Sequence, residues 1–143
     1  MTVVYIDGGS RGNPGPAGYG VRIEDASGNL IEEFHGSLGV ATNNVAEYQG
    51  LLAALRWAVA HDARPLLVRS DSELLVKQML GLYRVKHPGL QPLHREACTL
   101  VRAIGQVRFE HVRRERNAEA DRLANEAMDE AATTKPRNGE RRT

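Results

Sequence analysis

The chain has 143 residues, with 19 Lys or Arg against 18 Asp or Glu and a formal net charge of +1, so its overall charge points to no particular partner. This length suits one domain, and the single cysteine, Cys98, excludes an internal disulfide framework. No apolar run reaches the ~18 residues that span a bilayer, and the N-terminus lacks the pattern of a signal peptide. We therefore expect a soluble, cytoplasmic protein.

The charges are unevenly distributed along the chain. Residues 1–50 carry two arginines against six acidic side chains, and the excess of positive charge lies in the remainder. An acidic region that holds cations beside a basic region that faces a polyanion has this pattern, and so does chance.

Hydrophobic spacing predicts nine elements of secondary structure. In chain order they are strands at 2–6, 18–23 and 30–38, a helix at 44–60, a strand at 66–69, helices at 72–80 and 93–103, a strand at 106–112 and a helix at 117–131. The turn-rich stretch 12–16 excludes helix and central strand, and residues 25–29 form a hairpin turn. The last twelve residues have no apolar periodicity, which predicts one domain over 1–131 and a disordered basic tail over 132–143.

The order of these elements predicts an α/β fold built on a mixed sheet. The first three strands form an antiparallel meander, and the long helix crosses back to a fourth strand that lies beside the first and parallel to it.

Two aspartates follow the apolar parts of these neighbouring strands. Asp7 and Asp71 each come after the last apolar residue of their strand, so both lie at the carboxyl edge of the sheet, where ligands bind in such folds. Each also has a structural interpretation, because Asp7 suits the turn at Gly8 and Gly9, and Asp71 suits the cap of the next helix.

A third carboxylate continues the apolar face of a helix. Glu47 precedes Leu51 by four residues and Leu55 by eight, so it points to the sheet. A capping interaction, with Asn44 as N-cap, accounts for the residue type but not for this direction. A buried unpaired carboxylate costs several kcal/mol, so Glu47 needs a cation, a partner or a proton.

Asp121 is the fourth acid, and it flanks the apolar stripe of the last helix. Its alternative role is the ordinary preference for acids near a helix N-terminus, with Asn117 as N-cap. Carboxylates that converge repel one another, and oxygen-only sites suit Mg²⁺ or Mn²⁺. Two such ions ~3.5–4 Å apart can activate water and stabilise the leaving oxygen of a phosphoryl displacement.

Four motifs resemble those of type 1 ribonuclease H. They are DGGSRGNPGPAGYG, TNNVAEY, SDSELLVKQM and RNAEADRLANEAM, and the resemblance covers residues 2–131. It implies the ribonuclease H-like fold, a five-stranded mixed sheet with helices on both faces. It also implies endonucleolytic cleavage of the RNA strand of RNA–DNA hybrids, leaving 5′-phosphate and 3′-hydroxyl ends, with two Mg²⁺ ions, or Mn²⁺ in their place, held by the family's four carboxylates. Those carboxylates match Asp7, Glu47, Asp71 and Asp121.

The resemblance further implies a set of substrate-binding residues. Those that would read sugar edges and bases in the minor groove match Gly8, Gly9, Ser10, Asn13, Asn43 and Asn44. Thr42 matches a residue that holds a phosphate of the DNA strand. Glu73 stands where many members have a glutamine that contacts the minor groove. Helix capping is the alternative role for Thr42, Asn43 and Asn44.

The chain also departs from the family pattern at two places. The loop at 112–117 lacks the histidine that many relatives carry, and Arg114 or Glu115 is expected to take its space. The basic protrusion of longer relatives is replaced by residues 81–92, as in a compact subgroup. Tyr83, Arg84 and Lys86 are then candidates to hold the DNA strand. Weaker candidates are Arg113, Arg114, Arg116, Lys135, Arg137, Arg141 and Arg142, and for all of these a solvated surface charge is the alternative.

The leading functional prediction is therefore a monomeric, metal-dependent ribonuclease that acts on hybrids. The alternatives are a hybrid-binding module without turnover and a related nuclease that acts on DNA.

Overall fold

A computed structural model describes residues 1–133, and these contain five strands and four α-helices. The elements are β1 Thr2–Ser10, β2 Gly15–Glu24, β3 Leu30–Ala41, α1 Asn43–Ala60, β4 Leu66–Ser70, α2 Glu73–Met79, α3 Gln91–Ile104, β5 Val107–His111 and α4 Ala118–Thr133. A 3₁₀ turn, Arg114–Arg116, precedes α4. No helix in this described part is long and apolar enough to cross a membrane.

The strands form one mixed sheet in the order β3-β2-β1-β4-β5. Strands β1, β2 and β3 pair antiparallel, whereas β4 pairs parallel with both β1 and β5. This topology confirms the predicted meander and the predicted parallel fourth strand. The long helix α1 is the crossover that makes the parallel pairing possible.

The two faces of the sheet are covered by different helices. Along β1, Gly8 faces the backbone of α1, whereas its neighbour Gly9 faces Met128 of α4. Successive residues of a strand point to opposite faces, so α1 and α4 lie on opposite sides of the sheet. The main core lies under α1, where Leu51, Leu52 and other apolar side chains are fully buried.

Three predicted strand boundaries are wrong, and one of them is the end of β3, which lies at Ala41 and not at residue 38. Strand β1 does not end at Ile6, as predicted, but runs to Ser10, because residues 7–10 pair with residues 17–20 of β2. Strand β2 starts at Gly15, inside the stretch from which a central strand was excluded. Pro16 is tolerated there because the β1 ladder ends at Ser10 and Ala17, so its missing N–H is not needed by β1.

The predicted tail begins two residues too early. Residues 132 and 133 still belong to α4, which continues an alanine-rich helical stretch. The remainder of the predicted tail, residues 134–143, lies outside the described residues, together with Lys135, Arg137, Arg141 and Arg142.

Gly8 marks the closest approach of β1 and α1. A Cβ atom on Gly8 would lie 2.4 Å from the carbonyl carbon and oxygen of Ala46 and 2.6 Å from the backbone nitrogen of Glu47. These are backbone atoms of a helix and cannot move aside singly. The absent side chain therefore brings the start of α1, and with it Glu47, close to Asp7.

We expect Gly8→Ala to destabilise the protein by about 1–3 kcal/mol, because the added methyl group forces β1 and α1 apart. Urea unfolding measures this change. Gly9→Ala is the matched control, since its Cβ would meet its first neighbour, the mobile end of Met128, at 3.4 Å. Equal losses in the two variants would contradict the role given to Gly8.

Candidate active site

Asp7 and Asp71 lie side by side at the end of the parallel β1–β4 ladder, although Asp7 remains in β1, where it pairs with Gly20 of β2, and Asp71 directly follows β4. The last residue pair of the parallel β1–β4 ladder is Ile6 with Ser70, so these aspartates are the next residues on two neighbouring strands. Glu47 comes from the second turn of α1. One carboxylate oxygen from each of the three acids lies within 4.8 Å of the others. The structure thus brings together three residues that are distant in sequence.

Asp121 lies beside this group. It occupies the first turn of α4, is half-buried, and its side chain shares a hydrogen bond with the Asp7 carboxyl group. Its contact is therefore with Asp7, while the tight cluster comprises Asp7, Glu47 and Asp71. Close packing of α4 on β2 allows this contact, because a Cβ on Gly20 would lie 2.4 Å from the carbonyl oxygen of Ala120.

The acids of the cluster hold their protons more tightly than usual. Burial, followed by the charge of Asp71, raises the pKa of Asp7 to about 8. Burial also raises the pKa of Glu47 to about 7, although the hydroxyl of Ser72 opposes the shift. The pKa of Asp71 is raised too, again mainly by burial. A site that resists negative charge in this way gains from a bound cation.

Neither Asp71 nor Glu47 serves as a helix cap. Ser72 caps α2, since its Oγ accepts a hydrogen bond of 3.2 Å from the backbone N–H of Leu75. Thr42 caps α1 in the same way, through a bond of 3.2 Å from the N–H of Val45, so of the three residues considered as caps it is Thr42, and not Asn44, that has this role. The structural alternatives for the two acids therefore do not hold.

Asn117 has a role that its position before a helix did not reveal. Its side chain, 1% exposed, donates from Nδ2 to the carbonyl oxygen of Ile6 at 2.9 Å. It also bonds to Asp71, which opposes the rise of the pKa of that carboxyl group. Its backbone oxygen accepts from the N–H of Asp121 at 3.0 Å. Asn117 thus ties together the end of β1, Asp71 and the start of α4.

The polar residues at the end of β1 and the start of α1 form one hydrogen-bonded group. The N–H of Ser10 donates to Oδ1 of Asn43 at 2.7 Å, and the N–H of Asn43 donates to Oδ1 of Asn13 at 3.0 Å. Asn13, Thr42 and Asn44 also line a cavity of about 230 Å³. These residues form a continuous polar surface that leads away from Glu47.

Glu73 is outside the cluster of acids. It is exposed at the start of α2 and forms an ion pair of 2.9 Å with Lys77, one helical turn later. The lysine lowers the pKa of Glu73, so this residue stays ionised.

The loop at 112–117, which lacks the histidine of many relatives, brings a cation near the acids. The charge of Arg114, in the 3₁₀ turn, opposes the rise of the pKa of both Glu47 and Asp71. His111 is the last residue of β5, as the alternation predicts, and it pairs with Ser70. Of the two residues expected to take that space, Arg114 is the one whose charge reaches the acids.

The donor set fits a hard divalent cation. Asp7, Glu47 and Asp71 offer carboxylate oxygens within 4.8 Å of one another, with no sulfur or imidazole ligand in the group. Oxygen ligands are those that Mg²⁺ and Mn²⁺ prefer.

Comparisons with known proteins agree with this geometry. Residues 5–127 match the model of the reverse transcriptase-like family. The bifunctional protein Rv2228c of Mycobacterium tuberculosis is 50% identical over 131 residues, which cover 91% of this chain and 36% of that protein. The chain therefore spans about a third of the length of this curated relative.

Two solved structures cover nearly the whole fold. The N-terminal RNase H domain of Rv2228c, solved as a fusion with maltose-binding protein, has a TM-score of 0.89 and 48% identity over 93% of this chain and 96% of that one. LC11-RNase H1, isolated from compost and solved in complex with an RNA/DNA hybrid, has a TM-score of 0.88 and 43% identity over 93% and 100%.

We expect the stability of the metal-free protein to fall as the pH rises from about 4 to about 8. In the unfolded chain Asp7 ionises near its ordinary pKa of 3.8, whereas in the folded protein it keeps its proton until about pH 8. The folded state therefore binds the extra proton across this window, and its advantage is lost as the pH rises. Thermal melts of wild type and Asp7→Asn in EDTA, compared across the window, measure the contribution. Parallel pH profiles would contradict it.

We expect Asn117→Ala to lower stability by about 1–3 kcal/mol, because the carbonyl of Ile6 loses its buried donor. It should also weaken Mg²⁺ binding, since Asp71 loses a partner that orients it. Urea unfolding and isothermal titration with Mg²⁺ measure the two effects. Asn125→Ala is the control, because it removes a part-buried hydrogen bond of 2.9 Å from its Nδ2 to the backbone oxygen of Asp121 and leaves the Asp71 side chain with its partner. Unchanged Mg²⁺ affinity in Asn117→Ala would contradict the orienting role of Asn117 and leave it a structural role only.

Proposed function

The chain belongs to the type 1 ribonuclease H family, and on this basis we propose that it hydrolyses the RNA strand of RNA–DNA hybrids. The observation that carries the proposal is the cluster of Asp7, Glu47 and Asp71, whose carboxylate oxygens lie within 4.8 Å of one another. A non-catalytic hybrid-binding module has no need of such a cluster, which destabilises the metal-free protein.

The acids are the proposed ligands of two divalent cations. Asp7, Glu47 and Asp71 form the tight part of the site, and Asp121 adds a carboxylate next to Asp7. When bound, Mg²⁺, or Mn²⁺ in its place, supplies Lewis acidity that makes water a nucleophile and stabilises the leaving oxygen. Cleavage on the 3′-oxygen side of the phosphate then leaves 5′-phosphate and 3′-hydroxyl ends.

The protein's own contribution to this reaction is to position the carboxylates and the phosphodiester. Asn117 holds Asp71 and the end of β1 in position. Arg114 brings positive charge towards Glu47 and Asp71, where a phosphodiester would otherwise meet only acids. Burial keeps the carboxylates in a medium of low polarity, which strengthens their attraction for cations.

Discrimination between RNA and DNA is assigned to the polar surface next to the acids. Reading of 2′-hydroxyl groups there would distinguish an RNA strand. The residues proposed for this reading are Gly8, Gly9, Ser10, Asn13, Asn43 and Asn44. Thr42 uses its hydroxyl as a cap acceptor and can still donate its proton to a phosphate of the DNA strand. Glu73, at the start of α2, is proposed as a further substrate contact, and its pairing with Lys77 partly compensates its negative charge.

The proposal concerns residues 1–131 as one catalytic domain. Because the chain spans only 36% of Rv2228c, the activity of that longer protein is not transferred to it. A monomeric state and a cytoplasmic location stay predictions.

We expect the protein to cleave a labelled RNA–DNA hybrid in the presence of Mg²⁺ and to leave duplex RNA and duplex DNA intact. Asp7→Asn and Asp71→Asn should each lower cleavage by at least about 100-fold, more than the loss of a residue that only supports a ligand. Gel analysis of the products, with EDTA as the metal-free arm, measures both effects. Cleavage of DNA alone would overturn the proposal.

We expect Mg²⁺ to raise the melting temperature of the wild type, because a ligand that binds only the folded state stabilises it by about 2.7 kcal/mol at 100 times its Kd. The increase should be much smaller in Asp7→Asn, which lacks one ligand. Differential scanning calorimetry with and without Mg²⁺ reports binding independently of cleavage. Equal increases in the two proteins would place the bound ion elsewhere.

A further inference from the structure

A cavity of about 700 Å³ lies between α3 and the segment that joins α2 to α3. Small-molecule sites measure about 300–1,000 Å³, so this cavity is large enough for a small ligand. None of the four acids of the candidate active site lines it. The polar side chains that line it and bear on its chemistry are Gln78, Arg84, His94, Arg95, Cys98 and Arg102.

The thiol of Cys98 has a base beside it. Its Sγ lies 3.6 Å from Nε2 of His94, one helical turn earlier on α3. The imidazole is held in place by a T-shaped contact with the ring of Tyr48. Its Nε2 also lies 3.4 Å from the backbone oxygen of Gln78, which can accept a hydrogen bond from the protonated ring. A thiol becomes a strong nucleophile when an adjacent imidazole removes its proton, and the half-buried Cys98 is open to the cavity.

The charge of the cavity lining is of one sign. Arg84, Arg95 and Arg102 provide it, and none of them belongs to an ion pair among the described residues. No aspartate or glutamate within residues 1–133 lines the cavity, and Glu96 of α3 pairs with Arg56 instead. A ligand that carries carboxylate groups is therefore attracted to this cavity.

Gln78 adds a hydrogen-bond donor without a partner. Its side chain is 6% exposed, and its Oε1 accepts a hydrogen bond of 2.6 Å from the hydroxyl of Tyr48. Its Nε2 has no such partner within residues 1–133. The side-chain atom that is both sealed from solvent and unpaired in this part of the chain is Oδ1 of Asn117, so Nε2 of Gln78 opens onto the cavity. A buried amide with free protons indicates a ligand that accepts hydrogen bonds, as carboxylate and peptide oxygens do.

We propose that Cys98 is a modification site, which forms a mixed disulfide with a small thiol that carries carboxylate groups. The three arginines and the amide of Gln78 bind the carboxylates of the incoming symmetric disulfide. The reaction uses none of the four acids and does not depend on the proposed function.

The exchange needs no oxidant other than the small disulfide. His94 takes the proton of the Cys98 thiol, and the thiolate sulfur attacks one sulfur of the small disulfide. The S–S bond of that disulfide breaks as the new S–S bond to Cys98 forms. The departing thiolate recovers the proton from His94. Cys98 is thereby oxidised, and the released half of the small disulfide is reduced to a thiol.

The test measures mixed-disulfide formation by the full chain with mass spectrometry. Glutathione disulfide is the anionic probe and cystamine is a cationic disulfide. Each rate is divided by the rate for the same probe and the chain unfolded in urea, which removes the intrinsic difference between the probes. The folded wild type should favour glutathione disulfide by at least about 10-fold, because the arginines attract one probe and repel the other. Cys98→Ser removes the single cysteine of the chain and sets the background.

Two variants separate the roles of charge and base. Arg95→Gln/Arg102→Gln should lower the preference for glutathione disulfide by about 10-fold. Arg108→Gln is the matched control, because Arg108 is exposed on β5 and lies outside the cavity. His94→Gln should slow both probes alike, by at least about 10-fold, since it removes the proton acceptor but no arginine. Circular dichroism melts check that all variants fold.

Equal normalised rates for the two probes in the wild type would overturn the proposal. It would also be overturned if Arg95→Gln/Arg102→Gln kept the preference seen in Arg108→Gln. A dimer of two chains linked through Cys98, in place of the mixed disulfide, would assign the thiol to a contact between copies and contradict the cavity site. If the wild type does not cleave hybrid, the proposed function fails, whereas the reaction rates of Cys98 still report on this site.

Discussion

Carboxyl groups that meet at one edge of a sheet repel one another whenever they are ionised, and packing that does not depend on their charge must hold them together. In this protein the packing is provided by backbone contacts. Asp7 and Asp71 are held by the parallel ladder that ends one residue before each of them. Glu47 is held by the contact between Gly8 and the backbone of α1, which no other residue type could make at this distance. The acids add no stability of their own, so the fold can tolerate their mutual repulsion only because the apolar core under α1 is large.

Buried hydrogen bonds then fix the orientation of the acidic side chains, which the backbone packing only brings near one another. Asn117 joins the carbonyl of Ile6 to Asp71 and, through its backbone, to Asp121. Asn117, only 1% exposed, thus supports Asp71 and the end of β1 through its side chain and Asp121 through its backbone. Its Oδ1 has no hydrogen-bond partner among the described residues, a cost that is consistent with a position selected for orientation rather than for stability.

The sequence predicts those features of the acidic site that follow from the hydrophobic periodicity of its strands and helices. The ends of the apolar runs at Asp7 and Asp71, together with the expected parallel pairing, predict that these acids meet. The helical stripe predicts the direction of Glu47. The close approach at Gly8 and the inward turn of Asn117 could not be predicted, because each depends on a neighbour far away in the chain, 111 residues away in the case of Ile6 and Asn117. The second half of β1 was not predicted because glycine has a low strand propensity. Propensity does not report the helices that pack closely against these glycines.

The uneven distribution of charge has a physical reason once the structure is known. Under the proposed function, an acidic site receives a polyanion, and the repulsion between the two has to be offset by cations. The second half of the chain, where the positive excess lies, contains cations without an ion pair among the described residues, which include Arg84, Lys86, Arg95 and Arg102. Two acids of the cluster, Asp7 and Glu47, come from the first fifty residues. Under the proposed function, positive charge that lies apart from the acids would attract a duplex without forming ion pairs that compete for the carboxylates. Under the proposed function, separation of the acidic and basic side chains would let a chain of net charge +1 bind nucleic acid at an acidic centre without being basic overall.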